Sequence, residues 1–245
     1  MTFPNILLWA VLPYLALISL IAGTAWRHKY DKFGWTTRSS ELYERRLLRY
    51  ASPIFHYGFL GVIAGHLLGL LVPESWTRWC GLTEFGYHVL AIALGVPAGL
   101  AALGGLALLL YRRRTTGPVF LATTRNDKAM YVVLAGSLAL GLSATLWNWA
   151  VGGYDYRVVV SPWFRSLFYL QPKLGLMGSA PAIYRWHVGI GLLLIGVFPY
   201  TRLVHAFAVP VQYLFRPYLV YRSRRPLGEE ERPPRRGWEP VGPAR

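Results

Sequence analysis

One cysteine, Cys80, stands in 245 residues. That excludes an internal disulfide, a cysteine-rich iron–sulfur cradle and any C-x-x-C-H attachment motif. Acidic residues are scarce as well: 11 Asp and Glu against 26 Lys and Arg, for a formal net charge of +15. None of the 11 lies within a long apolar run, and Asp127 stands only at the start of one. Ion-coupled transporters and proton pumps normally need buried carboxylates as relays, so that class loses weight, and the broken half-helices of such transporters are not evident. Charged residues make up only 15% of the chain, against 54% hydrophobic, which are membrane proportions. The excess cations do not point to nucleic acid, because they sit in blocks between apolar runs.

Five stretches, approximately 3–25, 53–72, 86–111, 127–150 and 183–209, are apolar over the length needed to cross a bilayer. A helix takes roughly 20 residues to cross about 30 Å of hydrocarbon. Only helices or closed barrels satisfy their backbone groups in lipid, and unbroken apolar runs are helical. The sequence therefore predicts an all-α, polytopic membrane protein with five transmembrane helices over residues 1–225. An Arg- and Pro-rich cytoplasmic tail over 226–245 has too little apolar surface to order itself and is expected to be disordered. The run starting at Phe3 has no basic residue ahead of it and exceeds the core of a signal peptide, so it is expected to be a retained span.

Orientation follows from the loops. The first connection holds Arg27, Lys29, Lys32, Arg38, Arg45, Arg46 and Arg49, and the third holds Arg112, Arg113, Arg114, Arg125 and Lys128. Another basic block begins at Arg216, whereas the second connection has only Arg78 and the long fourth has Arg157, Arg165 and Lys173. By the positive-inside rule the N-terminus is expected outside and the C-terminus in the cytoplasm. Trp26, Trp76, Trp79, Trp147, Trp149 and Trp186 fall near span ends, where amphipathic rings lie. Within the fourth connection, residues 161–170 carry a Pro near a helix start and dense aromatics, which predicts a short helix on the outer membrane surface.

Six histidines occur, and four of them, His56, His66, His187 and His205, lie in just two of the five runs. Intramembrane polar side chains are expensive, and imidazole is the common protein ligand of haem iron. Each could instead hydrogen-bond to a neighbouring helix, but the four together form a pattern. His56 and His66 are ten residues apart, about 80° around a helix and about 15 Å along it. His187 and His205 are eighteen apart, five turns of a continuous helix, or about 27 Å on one face. Because the second span runs outward and the fifth inward, depth pairs His56 with His205 and His66 with His187. Tilt and the breadth of a haem have to absorb the mismatch of about 12 Å, and the kink-prone Gly196 and Pro199 between the two ligands are placed to help. Gly58, Gly61, Gly65 and Gly69 make the second span small-sided, for close helix packing or as a wall for a flat macrocycle.

The segments Arg185-Trp-His-Val-Gly189, the Pro-Tyr-Thr-Arg-Leu-Val-His run ending at His205, Val209-Pro-Val-Gln-Tyr-Leu-Phe-Arg-Pro217, and His56 followed by Gly65-His66-Leu-Leu-Gly69 resemble one family. It is the gamma subunit, the b-type cytochrome, of membrane-bound respiratory nitrate reductase, and the resemblance covers about residues 1–225. It implies two non-covalently bound b haems, a distal one at His66 and His187 and a proximal one at His56 and His205. It also implies membrane quinol as substrate, an inner (cytoplasmic) membrane location, and cytoplasmic partners: an iron–sulfur beta subunit and a molybdenum catalytic alpha subunit. A lysine associated with quinol binding in that family has no counterpart in Glu84-Phe-Gly-Tyr-His88. His88 is the nearest candidate, so Gly65, His66 and His88 are expected at the quinol site. Arg112, Arg113 and Arg202, at the cytoplasmic edge, are candidates for the propionates of the proximal haem, although anchoring would place them there too. A cytochrome b of another cytoplasm-facing reductase, or a non-haem membrane anchor or transporter, are the rival readings.

Overall fold

The computed structural model describes residues 3–31, 34, 40–152 and 154–208. The expected tail, the basic block from Arg216, Lys32 and Arg38 lie outside the described residues. Among the described residues the fold is all-helical, and five helices are long and apolar enough to cross a membrane. They are Phe3–Tyr30, Leu48–Leu71, Glu84–Thr115, Arg125–Val151 and Ala182–Tyr200, called spans 1 to 5 below. Leu15, Ile18, Leu94, Leu100, Val132 and Leu193 are exposed on them, and a bilayer is the solvent that such surfaces require.

Local chemistry sets the ends. Span 2 stops at Leu71 because the residue before Pro73 is forced out of the helical region, and Val72 is extended at ψ 117°. Span 3 starts on a Thr83 cap that accepts from the Gly86 N–H, and ends on Arg112, Arg113 and Arg114, which suit the negative end of its dipole. Span 4 opens with a reciprocal capping box between Thr124 and Asp127, as the position of Asp127 suggested. It ends at Gly152, whose φ of 69° favours glycine.

Prolines shape spans 1 and 5. Pro13 has no N–H to offer the Trp9 carbonyl one turn earlier. The helix widens there into a π-turn over Leu7–Val11, and the Trp163 indole N–H donates to that carbonyl at 3.0 Å. Span 5 does not continue to residue 209 as one helix. Its α-helix ends at Val197, passes through the 3-10 turn Phe198–Tyr200, is interrupted by extended Thr201, and resumes as the 3-10 segment Arg202–Ala208. The five continuous turns from His187 to His205 are thereby corrected. Pro199 withholds a backbone donor, and the chain turns instead of descending another 12 Å or so.

Spans pack in the order 1, 5, 4, 3, 2. Spans 2 and 3 approach closest: a Cβ on Gly58 would lie 2.4 Å from the Ala102 backbone nitrogen, and one on Gly105 2.5 Å from that of Phe55. Small residues permit this contact, which buries Phe55, Ala102 and Leu106. Spans 2 and 5 share no such extended contact. The helix expected within 161–170 begins earlier, at Tyr156 on an Asp155 cap, and ends at Phe168. It is amphipathic, but it is not merely laid on a surface. It packs against span 2 and buries Val160 and Trp163, with Trp163 edge-on to Trp9 at 5.9 Å.

Gly105→Leu is expected to lower the stability of the detergent-solubilised protein by about 1 to 3 kcal/mol, the usual cost of overpacking. Gly104→Leu, whose Cβ faces open space, is expected to leave the melting temperature unchanged. Thermal unfolding of the two variants side by side checks this.

Candidate functional site

Two histidine pairs bridge the gap between spans 2 and 5. The His66 and His187 rings lie 5.8 Å apart between centroids, with their Nε2 atoms 3.5 Å apart. The His56 and His205 rings lie 6.1 Å apart. Depth pairing from the sequence therefore matches the ring proximities, although His205 reaches its partner from the 3-10 segment and not from the α-helix.

Backbone carbonyls fix which ring nitrogen faces the gap. His66 Nδ1 lies 2.8 Å from the Val62 carbonyl, His56 Nδ1 2.8 Å from that of Ser52, and His205 Nδ1 2.6 Å from that of Arg202. A carbonyl only accepts, so each Nδ1 carries the proton and each Nε2 presents a lone pair. This second hydrogen bond is the usual orienting device of metal-ligating histidine. His187 Nδ1 is buried without a well-formed hydrogen bond, its neighbouring acceptor being the backbone of Ser137. Gly141 on span 4 makes room for that ring, since a Cβ there would sit 2.8 Å from His187 Cε1.

Two imidazoles that turn Nε2 toward one another suit a shared metal. An imidazole–metal bond is about 2 Å, as for zinc, so two opposed ligands want their nitrogens about 4 Å apart. The 3.5 Å separation is within a small adjustment of that. Among the span 2 glycines, Gly58 and Gly61 pack on Ala101, Ala102 and Ala98, and Gly69 lies under Tyr156 and Tyr87. Gly65 alone of the four opens onto free space, as a wall for a flat ring requires.

At the end that holds Arg27 and Arg112, the break in span 5 exposes carbonyls that others satisfy. Arg27 Nη1 donates to Pro199 O at 2.7 Å and to Thr201 O at 2.8 Å, and Asn126 Nδ2 donates to Tyr200 O at 2.7 Å. Arg202 pairs with buried Asp127 at 2.5 Å, which anchors the segment bearing His205. Arg112 is buried against Glu44 and Ser40, and Arg113 lies over Tyr131 and donates to Thr123. The three arginines considered for propionates thus all have protein partners. The Leu47 N–H, and after it Arg112, hold the Glu44 carboxyl below its ordinary range against the cost of burial. That contribution is present above the ordinary glutamate range and is lost as pH falls through the lowered value.

His88 stands at the opposite end, in a cavity of about 570 Å³ shared with Glu84, Asn148, Tyr154 and Asp155. Ligand atoms of Glu84, His88 and Asp155 lie within 4.8 Å of one another. Burial and the Asp155 charge push the Tyr154 phenol up to about 12, so it stays neutral at physiological pH. His88 makes its ring contact with Tyr87, not with Gly65 or His66. Arg27, which the sequence marks only as a loop cation, and Asn126 and Gly141, which it does not mark at all, each serve a carbonyl or a ring far along the chain.

Asp127→Ala is expected to cost about 2 to 3 kcal/mol, below the figure for a fully buried pair because Arg202 is 29% exposed. Asp31→Ala, which opens a more exposed pair with Arg27, is expected to cost under about 1 kcal/mol. Thermal unfolding, with limited proteolysis around residue 202, measures both.

Residues 5–224 match the family described as Nitrate reductase gamma subunit. The chain is 56% identical over 234 residues to the Nitrate reductase-like protein NarX of Mycobacterium tuberculosis, covering 95% of this chain but only 36% of that protein's length. It is 40% identical to the Nitrate reductase gamma chain of Bacillus subtilis, over 89% of this chain and 98% of the relative. It is 32% identical to the Respiratory nitrate reductase 1 gamma chain of Escherichia coli, over 91% of this chain and 100% of the relative. With its five apolar helices and a family match over most of its length, the chain belongs to the nitrate reductase gamma subunit family.

Proposed function

We propose that this chain is the di-haem cytochrome b subunit of a quinol-dependent nitrate reductase, with its N-terminus outside and its C-terminus in the cytoplasm. The observation that carries this is the pair of imidazole gaps, each spanned by one histidine of span 2 and one of the span 5 region. His66 and His187 would hold one b haem and His56 and His205 the other, and bound haem supplies one-electron transfer between quinol and the cytoplasmic partners. Those partners are an iron–sulfur beta subunit and a molybdenum alpha subunit, docked from the cytoplasm at the arginine-rich end of a chain that lies in the inner membrane. The names of the relatives support the reductase assignment.

The chain's own residues do three things in this reading. Backbone carbonyls of Ser52, Val62 and Arg202 orient His56, His66 and His205 so that a bare Nε2 faces the gap. Gly65 and Gly141 leave room for a macrocycle and for the His187 ring. At the outer end, the His88 cavity receives the quinol headgroup, and His88 or the neighbouring carboxylates accept its protons. Apart from Glu84 and Asp127 in their first turns, the spans carry no carboxylate that could relay protons across, so protons leave on the quinol side. Moving each electron inward against the membrane potential takes about 2.3 kcal/mol per 100 mV, which the redox gap to the acceptor supplies.

Single His→Ala substitutions in the assembled complex test the assignment by optical spectroscopy. Loss of His66 or His187 is expected to remove one haem and abolish reduction by quinol. Loss of His56 or His205 is expected to remove the other, leaving a haem that quinol reduces but the acceptor reoxidises poorly. Disappearance of the same haem in the His56 and His66 variants would reject the pairing. His88→Ala is expected to slow quinol oxidation with both haems retained, and unchanged steady-state kinetics would remove it from the site.

A further inference from the structure

We propose that Arg157 binds a propionate carboxylate of the haem held by His66 and His187. This rests on the haem reading above and adds an anion-holding residue to it. Arg157 lies on the helix Tyr156–Phe168 and is 3% exposed. Its Nη2 donates to Thr77 Oγ1 at 2.8 Å, its guanidinium carbon lies 3.8 Å from the centre of the Tyr87 ring, and its Nε is buried without a partner. Among the described residues no carboxylate stands within ion-pair distance of it, whereas Arg27, Arg112 and Arg202 each have one. Asp155, the closest acid in sequence, accepts the Arg157 backbone N–H at 2.8 Å as a helix cap, and its other oxygen is buried and unpartnered.

A guanidinium cannot shed its proton to escape burial. One neutral hydrogen bond and a face-on ring offset only part of what desolvation costs it. Such a side chain is built for an anion, and its planar fork fits a carboxylate in particular. Arg165 extends the patch: burial, and after it the Arg157 charge, hold it below its usual range. Its Nη1, however, is committed to the Leu70 carbonyl, and Arg78 is paired with Glu74. Arg157 is the buried cation of this patch with a donor left over.

The patch packs on span 2 three to four residues beyond His66. Tyr87 and Tyr156 share a hydroxyl hydrogen bond of 2.8 Å, and both hydroxyls crowd Gly69, within 3.2 Å of where its Cβ would be. Gly69 follows His66 by three residues, about 4.5 Å along the helix. Propionates are charged and have to leave the hydrocarbon for polar partners. From His66 the end of span 2 at Leu71 is about 7.5 Å away, and the two tyrosines reach that end at Gly69, with Arg157 stacked on Tyr87. A cation beside the propionate stabilises the reduced haem, which carries one more negative charge than the oxidised one.

The test is a spectroelectrochemical titration of Arg157→Gln and Arg157→Lys in the assembled complex, with resonance Raman spectra of the propionate bending modes. In Arg157→Gln the reduction equilibrium of the His66–His187 haem is expected to fall about tenfold, which is about 59 mV for one electron. The His56–His205 haem is expected to stay where it was. Arg157→Lys keeps the charge and loses the fork, so its potential is expected to move less while the propionate band still shifts. An unmoved potential and propionate band, or an equal shift of both haems, overturns the proposal. Should Arg157→Gln fail to assemble, an unchanged propionate band in Arg157→Lys overturns it equally. Absence of b haem from the unsubstituted protein would instead strike the haem reading itself, so the two failures are distinct.

Discussion

Where span 5 breaks, backbone carbonyls are released at the edge of a membrane, and the placement of the lower histidine depends on finding donors for them. Unpaired backbone groups in lipid cost several kcal/mol each. Arg27 takes two of these carbonyls and Asn126 a third, which ties the end of span 1 and the start of span 4 to the same turn. Arg202, just past the break, is held by Asp127. The consequence is a 3-10 segment tethered where it presents His205 to His56, across a gap that a straight helix would have overshot.

The sequence made the five spans legible because hydrophobic length is a direct physical requirement of the bilayer. Depth also paired the histidines, since two antiparallel helices leave one sensible match. The mismatch of rises is legible as well, and Pro199 stands where the α-helix gives way, but no spacing rule says how a chain turns after its helix ends. Arg27 looked like one more topological cation, because its use on the carbonyls of Pro199 and Thr201 joins positions more than 170 residues apart. Gly141 was invisible for a similar reason. Its role is to make space for a ring from another span, and a glycine in an apolar run carries no mark of that.

Close packing and separation are distributed unevenly among the spans. Spans 2 and 3 meet backbone to backbone through Gly58 and Gly105, while spans 2 and 5 meet chiefly through imidazoles. One helix is thus pressed against its sequence neighbour on one side and held open on the other. The rigidity of the first contact steadies the second, because His56 follows directly on Phe55, whose backbone nitrogen lies against Gly105.

The tethers of span 1 have a bearing on how the chain is made. Tyr14 donates to Leu167, Ser19 to Gly196 and Arg27 to Pro199, while the Trp9 carbonyl waits for Trp163. Each of these partners is synthesised at least 153 residues later. Of the five spans, the one made earliest is therefore among the last to be docked, and until then its Trp9 carbonyl and Arg27 guanidinium depend on water, lipid headgroups or the insertion machinery for company. During synthesis, spans 2 and 3 can pair as a local hairpin, whereas span 1 closes the bundle only once span 5 has arrived.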